Sequence, residues 1–196
     1  MVYVILAIAF YCFGCISTGY IVGKMQSNID VRKHGSGSAG ATNVFRVLGT
    51  KAGIITFISD FAKGAVASLV GLWLGGVTGG IVCSIAVVLG HNWPLFLKFK
   101  GGKGIATTTG TIIVLNPVVG IILLGFGIVV IALTRYVSLG SIMATAAYPV
   151  VVFALKFPAE YKIHAVIICV LAILRHTSNI KRLIKGNERK LGVKTE

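Results

Sequence analysis

The chain has 196 residues, 56% of them hydrophobic, a mean hydropathy of +0.91, nineteen Lys and Arg against five Asp and Glu, and a net charge of +14. That apolar content exceeds what a soluble core of this size needs, so a water-soluble domain is excluded and a bilayer is implied. The cations sit in short loops between apolar spans, not on a folded basic face, so lipid headgroups and phosphorylated metabolites fit as partners and nucleic acid does not.

In chain order, the first apolar run (2–23) lacks a basic start and is longer than the ~7–15 residues of a signal h-region, so it reads as one retained helix. Cys12 and Cys15 within it form a C-x-x-C only in name. Like Cys83 and Cys169 they lie in apolar sequence, where small residues pack between helices, and no redox or metal site is expected. The loop that follows reads His34-Gly35-Ser36-Gly37-Ser38-Ala39-Gly40-Ala41-Thr42-Asn43, then a short apolar segment carrying Arg46. Gly35, Gly37 and Gly40 free the backbone, so several amides can converge on an anion while Thr42 or Asn43 caps a short helix. Ser36 adds a hydroxyl donor, and Arg46, one helical turn beyond Thr42, adds a guanidinium.

Spans are expected at 54–75 and 77–97, each near the ~20 residues a bilayer requires. Asp60 and Lys63 in the first of these are three apart and costly in lipid; either they pair, or Lys63 helps hold substrate. The next loop runs from Gly90 and His91 through Lys98, Lys100, Gly101, Gly102, Lys103 and Gly104 into a helical segment. Its glycines permit a tight turn against a helix N-terminus beside Lys103, which makes a phosphate cradle. It is not a Walker A loop, because no Ser or Thr follows Lys103.

Asn116-Pro117 leaves 105–134 readable as one kinked helix or as two, 105–116 and 118–134. Two further spans follow at 136–155, with Ser141 on its cytoplasmic side, and at 161–174. Charge decides the count, since short Lys/Arg-rich loops lie on the cytoplasmic side. With a turn at Asn116, Lys24, Arg32, Lys33, Arg46, Lys51, Lys98, Lys100, Lys103, Arg135, Arg175, Lys181, Arg182, Lys185, Arg189, Lys190 and Lys194 share one face, sixteen of nineteen cations. The expected fold is therefore all-α, a polytopic membrane protein of seven transmembrane helices, N-terminus outside and C-terminus cytoplasmic, forming a single domain over 1–196. In the tail, His176 and Asn179 lie three apart, on one face if the last helix continues, where a histidine can exchange a proton near neutral pH. Glu188 is the lone acid among those bases, with pairing to Arg or Lys as its simplest role.

GSGSAGATN at 35–43, GHNWPLFLKFKGGKGIAT at 90–107 and the Asn179, Arg182, Gly186, Glu188 tail together resemble the three cytoplasmic motifs of the bacterial acyl-phosphate:glycerol-3-phosphate acyltransferases, in order, spacing and length. Ser38-Ala39 stands where an Asn-Ile pair or similar is expected. The resemblance covers essentially the whole chain. It implies transfer of a fatty acyl group from acyl phosphate to the sn-1 hydroxyl of glycerol 3-phosphate, giving lysophosphatidic acid and phosphate at the inner face of a bacterial cytoplasmic membrane, with no cofactor and no metal. A soluble enzyme that forms acyl phosphate is implied as a pathway partner.

An acyl phosphate carries its own leaving group, so the protein has mainly to position the hydroxyl and steady two anions. Ser36, Lys103, His176 and Asn179 are the catalytic candidates. Gly35, Gly37, Gly40, Thr42, Asn43, Arg46, Lys63, Gly101, Gly102, Gly104, Ser141 and Glu188 are the candidates for holding substrate. The hydroxyl proton can pass to His176 or to a substrate phosphate oxygen, and both routes stay open. The alternative from another class is an anion or phosphate transporter, which would place its charges near the bilayer midplane, where only Asp60 and Lys63 lie.

Overall fold

A computed structural model describes residues 1–192; Lys194 lies outside the described residues. The protein is an all-helical, multi-pass integral membrane protein. Among the described residues nine α-helices follow one another: α1 (Val2–Gly14), α2 (Thr18–Ser27), α3 (Ala41–Leu48), α4 (Thr50–Asn92), α5 (Ile105–Leu115), α6 (Pro117–Thr134), α7 (Val137–Ala154), α8 (Ala159–Arg175) and α9 (Thr177–Ile184). Among the described residues four stretches are long and apolar enough to cross a bilayer, Val2–Ser27, Thr50–Leu97, Pro117–Thr134 and Val137–Ala154, and α8 with α9 makes a fifth if that pair, bent by 63°, counts as one. Large apolar side chains such as Ile8, Trp73, Leu133 and Val150 are exposed, as a lipid-facing surface requires. The chain groups into two compact units, Met1–Leu115 and a second beginning at Asn116.

In the first unit, α4 is not one rod. Gly75 and Gly76 leave helical geometry, Gly76 with φ 61°, and the chain doubles back there. Asp60 and His91 would stand about 46 Å apart along a straight helix, yet His91 Nδ1 lies 3.5 Å from Asp60 Oδ1. The two arms touch backbone to backbone at Gly71 and Gly79, where a side chain on either residue would overlap the other's carbonyl. The break falls where 54–75 and 77–97 are divided from sequence.

The first apolar run differs from expectation. It is two helices, interrupted at Cys15, Ile16 and Ser17, and the cause is visible in the carbonyls the break exposes. Lys63 Nζ donates to Ile16 O at 2.9 Å and Gly14 O at 3.4 Å while pairing with Asp60 Oδ1 at 2.9 Å. A broken helix in a bilayer needs its freed carbonyls satisfied, and this buried ammonium satisfies them.

At the start of the second unit, Asn116 adopts an extended conformation and its Oδ1 accepts from Val119 N at 3.1 Å, capping α6, while Pro117 takes the first helical position, where no amide is needed. Residues 105–134 are therefore two helices. Between α7 and α8, Tyr148 and His164 are fully buried and hydrogen-bonded, Oη to Nδ1, at 3.0 Å.

Candidate functional site

The first unit carries the two glycine loops. Val31, fully buried with Val44 and Ala52 and backed by Val22, Ile29 and Leu48, anchors the loop after α2 to the helices around it. Gly35 and Gly37 take φ of 58° and 75°, the left-handed turns that the sequence pattern implies. Asn43 corrects the expectation for this loop. It sits inside α3, almost fully buried. Its Nδ2 donates to Val31 O, His34 O and Ser38 O at 2.8–3.1 Å, and its Oδ1 accepts from Ser36 N at 2.7 Å. Asn43 is the internal brace of the loop, and Gly40, with no side chain to offer, stands at the cap position where Thr42 or Asn43 was expected.

The anion nest is corrected with it. Ser36 N is directed to Asn43, Gly37 N to His34 O at 3.1 Å and Gly40 N to the Ser38 hydroxyl at 3.2 Å. These amides shape the loop. The side chains of Ser36, Thr42 and Arg46 are half-buried around the first turn of α3.

The loop after α4 is built on His91. A methyl group at Gly101 would overlap His91 O and one at Gly102 would overlap the His91 ring at Nε2, while Gly102 N donates to His91 O at 3.1 Å. Gly104, φ 78°, turns the chain into α5 with Lys103 half-buried beside it. The two glycines thus serve close packing, and Lys103 stands just before the start of α5. His91 is the floor on which the turn rests, held in turn by Asp60.

Sequence reasoning missed Asp30 and Arg32. The Asp30 carboxylate accepts from Arg32 N (3.0 Å), Nε (2.9 Å) and Nη2 (2.8 Å), and these bonds from Arg32 hold its carboxyl below the usual range against the opposing effect of partial burial. The D-x-R spacing, which lets an aspartate cap a turn and grip the arginine two residues on, is the signal that could have found them.

In the second unit, α8 ends at Arg175 and α9 leaves at an angle, so the continuous helix that would place His176 and Asn179 on one face is absent there; His176 is the corner. It is 2% exposed, and its Nδ1 lies 2.7 Å from Ala172 O. A carbonyl only accepts, so Nδ1 carries the proton and the basic lone pair of the neutral ring is on Nε2. Asn179 donates to Glu188 Oε1 at 2.7 Å, Ser138 Oγ donates to the same oxygen at 3.0 Å, and Arg182 Nε reaches Oε2 at 2.7 Å. Burial pushes the Glu188 carboxyl up, but those three hydrogen bonds and the Arg182 charge outweigh it and leave it below its ordinary value. Both carboxylate oxygens are thus engaged in fixing α9 and the tail, which makes Glu188 a brace. The Ser141 hydroxyl donates to Val137 O at 2.9 Å, within its own helix. Lys63 has its ammonium directed to Asp60 and the α1–α2 break, as described above.

Comparison with known proteins gives one answer throughout. The family model described as glycerol-3-phosphate acyltransferase matches residues 4–186. A protein of that name from Thermoanaerobacter sp. is 50% identical over 193 residues, 98% of each chain. Another from Clostridioides difficile is 43% identical over 200 residues, covering 99% of this chain and 98% of that one. The crystal structure of PlsY (YgiH), an integral membrane glycerol 3-phosphate acyltransferase, in its glycerol 3-phosphate form superposes with a TM-score of 0.93 at 36% identity, over 98% of this chain and 96% of that one; its lysophosphatidic acid form gives 0.90.

Proposed function

Because the chain belongs to the glycerol-3-phosphate acyltransferase family, we propose that the acyl donor it uses in making lysophosphatidic acid is an acyl phosphate and that the acceptor is the sn-1 hydroxyl of glycerol 3-phosphate. The observation that carries this is the end-to-end likeness, which takes in both glycine loops and the Glu188 tail. The hydroxyl oxygen attacks the acyl carbonyl, the bond from that carbon to the phosphate oxygen breaks, and inorganic phosphate leaves with the electron pair. The hydroxyl proton passes to His176 Nε2 or to a substrate phosphate oxygen. No covalent intermediate and no coenzyme A or metal is required.

Ser36 and the start of α3 hold the acyl phosphate in this reading. Arg46 and Lys103 hold glycerol 3-phosphate and stabilise charge that develops on the carbonyl oxygen, and His176 and Asn179 are the second unit's catalytic candidates. Gly101, Gly102 and Gly104 keep Lys103 in register, and Asn43 and Glu188 keep the loop and the tail in shape. The transporter alternative loses its mid-span charges, since Asp60 and Lys63 are paired with each other and with the helix break. The reading includes seven crossings of a bacterial cytoplasmic membrane with the C-terminus inside, supported by the reversal at Gly75–Gly76, the turn at Asn116 and the charge distribution. A soluble enzyme that makes acyl phosphate supplies it. The test is incubation of the purified protein with palmitoyl phosphate and labelled glycerol 3-phosphate, without coenzyme A or magnesium. Labelled lysophosphatidic acid is expected, and its absence there but appearance with acyl-coenzyme A would overturn the donor assignment.

A further inference from the structure

We propose that Arg32, gripped by Asp30, is a positioning residue for the glycerol 3-phosphate cradle, acting from the first glycine loop on the second. Beyond its bonds to Asp30, the guanidinium sends Nη1 to Leu97 O at 2.8 Å and Lys100 O at 3.3 Å, sixty-five and sixty-eight residues along the chain, and lies over the Tyr20 ring at 5.0 Å. Those two carbonyls bracket Lys98 and Phe99, which take φ of 55° and 58° in succession. Two adjacent non-glycine residues in the left-handed region are unfavourable and persist only where the surroundings fix them. Arg32 fixes them from one side, and backbone bonds from Phe99 N to Pro94 O and Lys100 N to Leu97 O close the turn from within. The next residues are Gly101, Gly102 and Lys103, already seated on His91. Lys103 is therefore aimed by two supports, the His91 floor and the Arg32 strap, and the strap ties the loop presenting Ser36 to the loop presenting Lys103. Arginine is required because one planar fork meets a carboxylate and two carbonyls together, which a lysine ammonium cannot reproduce.

The inference rests on Lys103 as part of the cradle, and the experiment separates the two. Arg32→Gln, Arg32→Lys, Asp30→Asn and Lys103→Ala are made in the full-length protein, with kinetics for each substrate and hydrogen exchange followed over 95–104. Arg32→Gln is expected to raise KM for glycerol 3-phosphate about tenfold, on the way to the ~10²-fold that a displacement near 1 Å can cost, with KM for acyl phosphate unchanged. Asp30→Asn speeds exchange over 95–104 and leaves the core of α4 protected. Combined with Lys103→Ala, Arg32→Gln adds no further loss, because it acts through that lysine. If Lys103→Ala is impaired while Arg32→Gln and Asp30→Asn keep wild-type KM values, the strap is refuted and the cradle stands. If Lys103→Ala is itself wild type, the cradle falls and takes the strap with it. Equal loss for both substrates, or additive loss in the double variant, also refutes positioning and leaves Arg32 a residue of the fold.

Discussion

Gly102→Ala puts the packing of the second glycine loop to a direct test. The added methyl would overlap the His91 ring at Nε2, with neighbouring ring carbons also closer than van der Waals contact. The ring is not free to yield, since Nδ1 faces Asp60 at 3.5 Å and the residue's own carbonyl holds Gly102 N. The loop has to give instead, by more than ~1 Å if carbon contacts of about 3.5 Å are to be restored. Overpacking of this kind costs about 1–3 kcal/mol of stability. The same displacement at Lys103 costs about 10²-fold in kcat/KM, or about 2.7 kcal/mol in the barrier. The assay is acyl transfer from palmitoyl phosphate across a range of glycerol 3-phosphate concentrations. Gly125→Ala is the control, because a methyl there meets nothing within 4 Å. The control should keep its activity while Gly102→Ala loses kcat/KM for glycerol 3-phosphate. A Gly102→Ala enzyme within threefold of the wild type would refute the claim that the cradle is set by contact with His91.

His176→Ala should lower kcat by about 10²–10⁴-fold if Nε2 takes the hydroxyl proton; near-normal turnover at saturating substrate would assign the proton to a substrate phosphate. Lys63→Met should lower the melting temperature sharply, since it strands the buried Asp60 carboxylate and two carbonyls, and breaking a buried pair costs about 3–5 kcal/mol; Lys63→Met with Asp60→Leu should recover part of the loss, and an unchanged melting temperature in the single variant would argue against the brace. Glu188 has its carboxyl held below the ordinary 4.5, so its contribution is fully present above that value and fades as pH falls through the lower folded value. The wild type should therefore lose melting temperature below about pH 4.5 more steeply than Glu188→Gln, and parallel profiles would contradict the assignment.

Much of the fold was legible because hydropathy and backbone chemistry point the same way. Asn116-Pro117 divides two helices for a local reason, an Asn that caps and a Pro that needs no amide, and Gly75–Gly76, the first of two glycine pairs in that apolar run, reverses α4. The break in the first run was not legible from 2–23 itself, which is continuously apolar. Its cause lies forty-seven residues on, in the ammonium of Lys63 that satisfies Ile16 O. Local propensity cannot see a partner supplied by tertiary structure, and the same blindness hides the bend at His176.

The site shows the same division in a sharper form. Polar residues beside a membrane are costly whether they meet substrate or backbone, so composition marks the segment without saying which way each side chain turns. Asn43 looked like a ligand for an anion because it sits in the right loop, yet it spends its polar atoms on its own loop, whereas Glu188 pairs with Arg182 as a lone acid among bases would. Arg32 looked like one more cytoplasmic cation and instead crosses to another loop. A charge in such a loop is better read by what its carboxylate or amide neighbours can saturate. Asp30 fixes two of the Arg32 nitrogens at short range, and only the remaining nitrogen is left to reach Leu97 and Lys100. The acid that makes an arginine look neutralised is therefore what turns it into a directed strap, and a reading that pairs charges and discards them will miss the residues that aim the site.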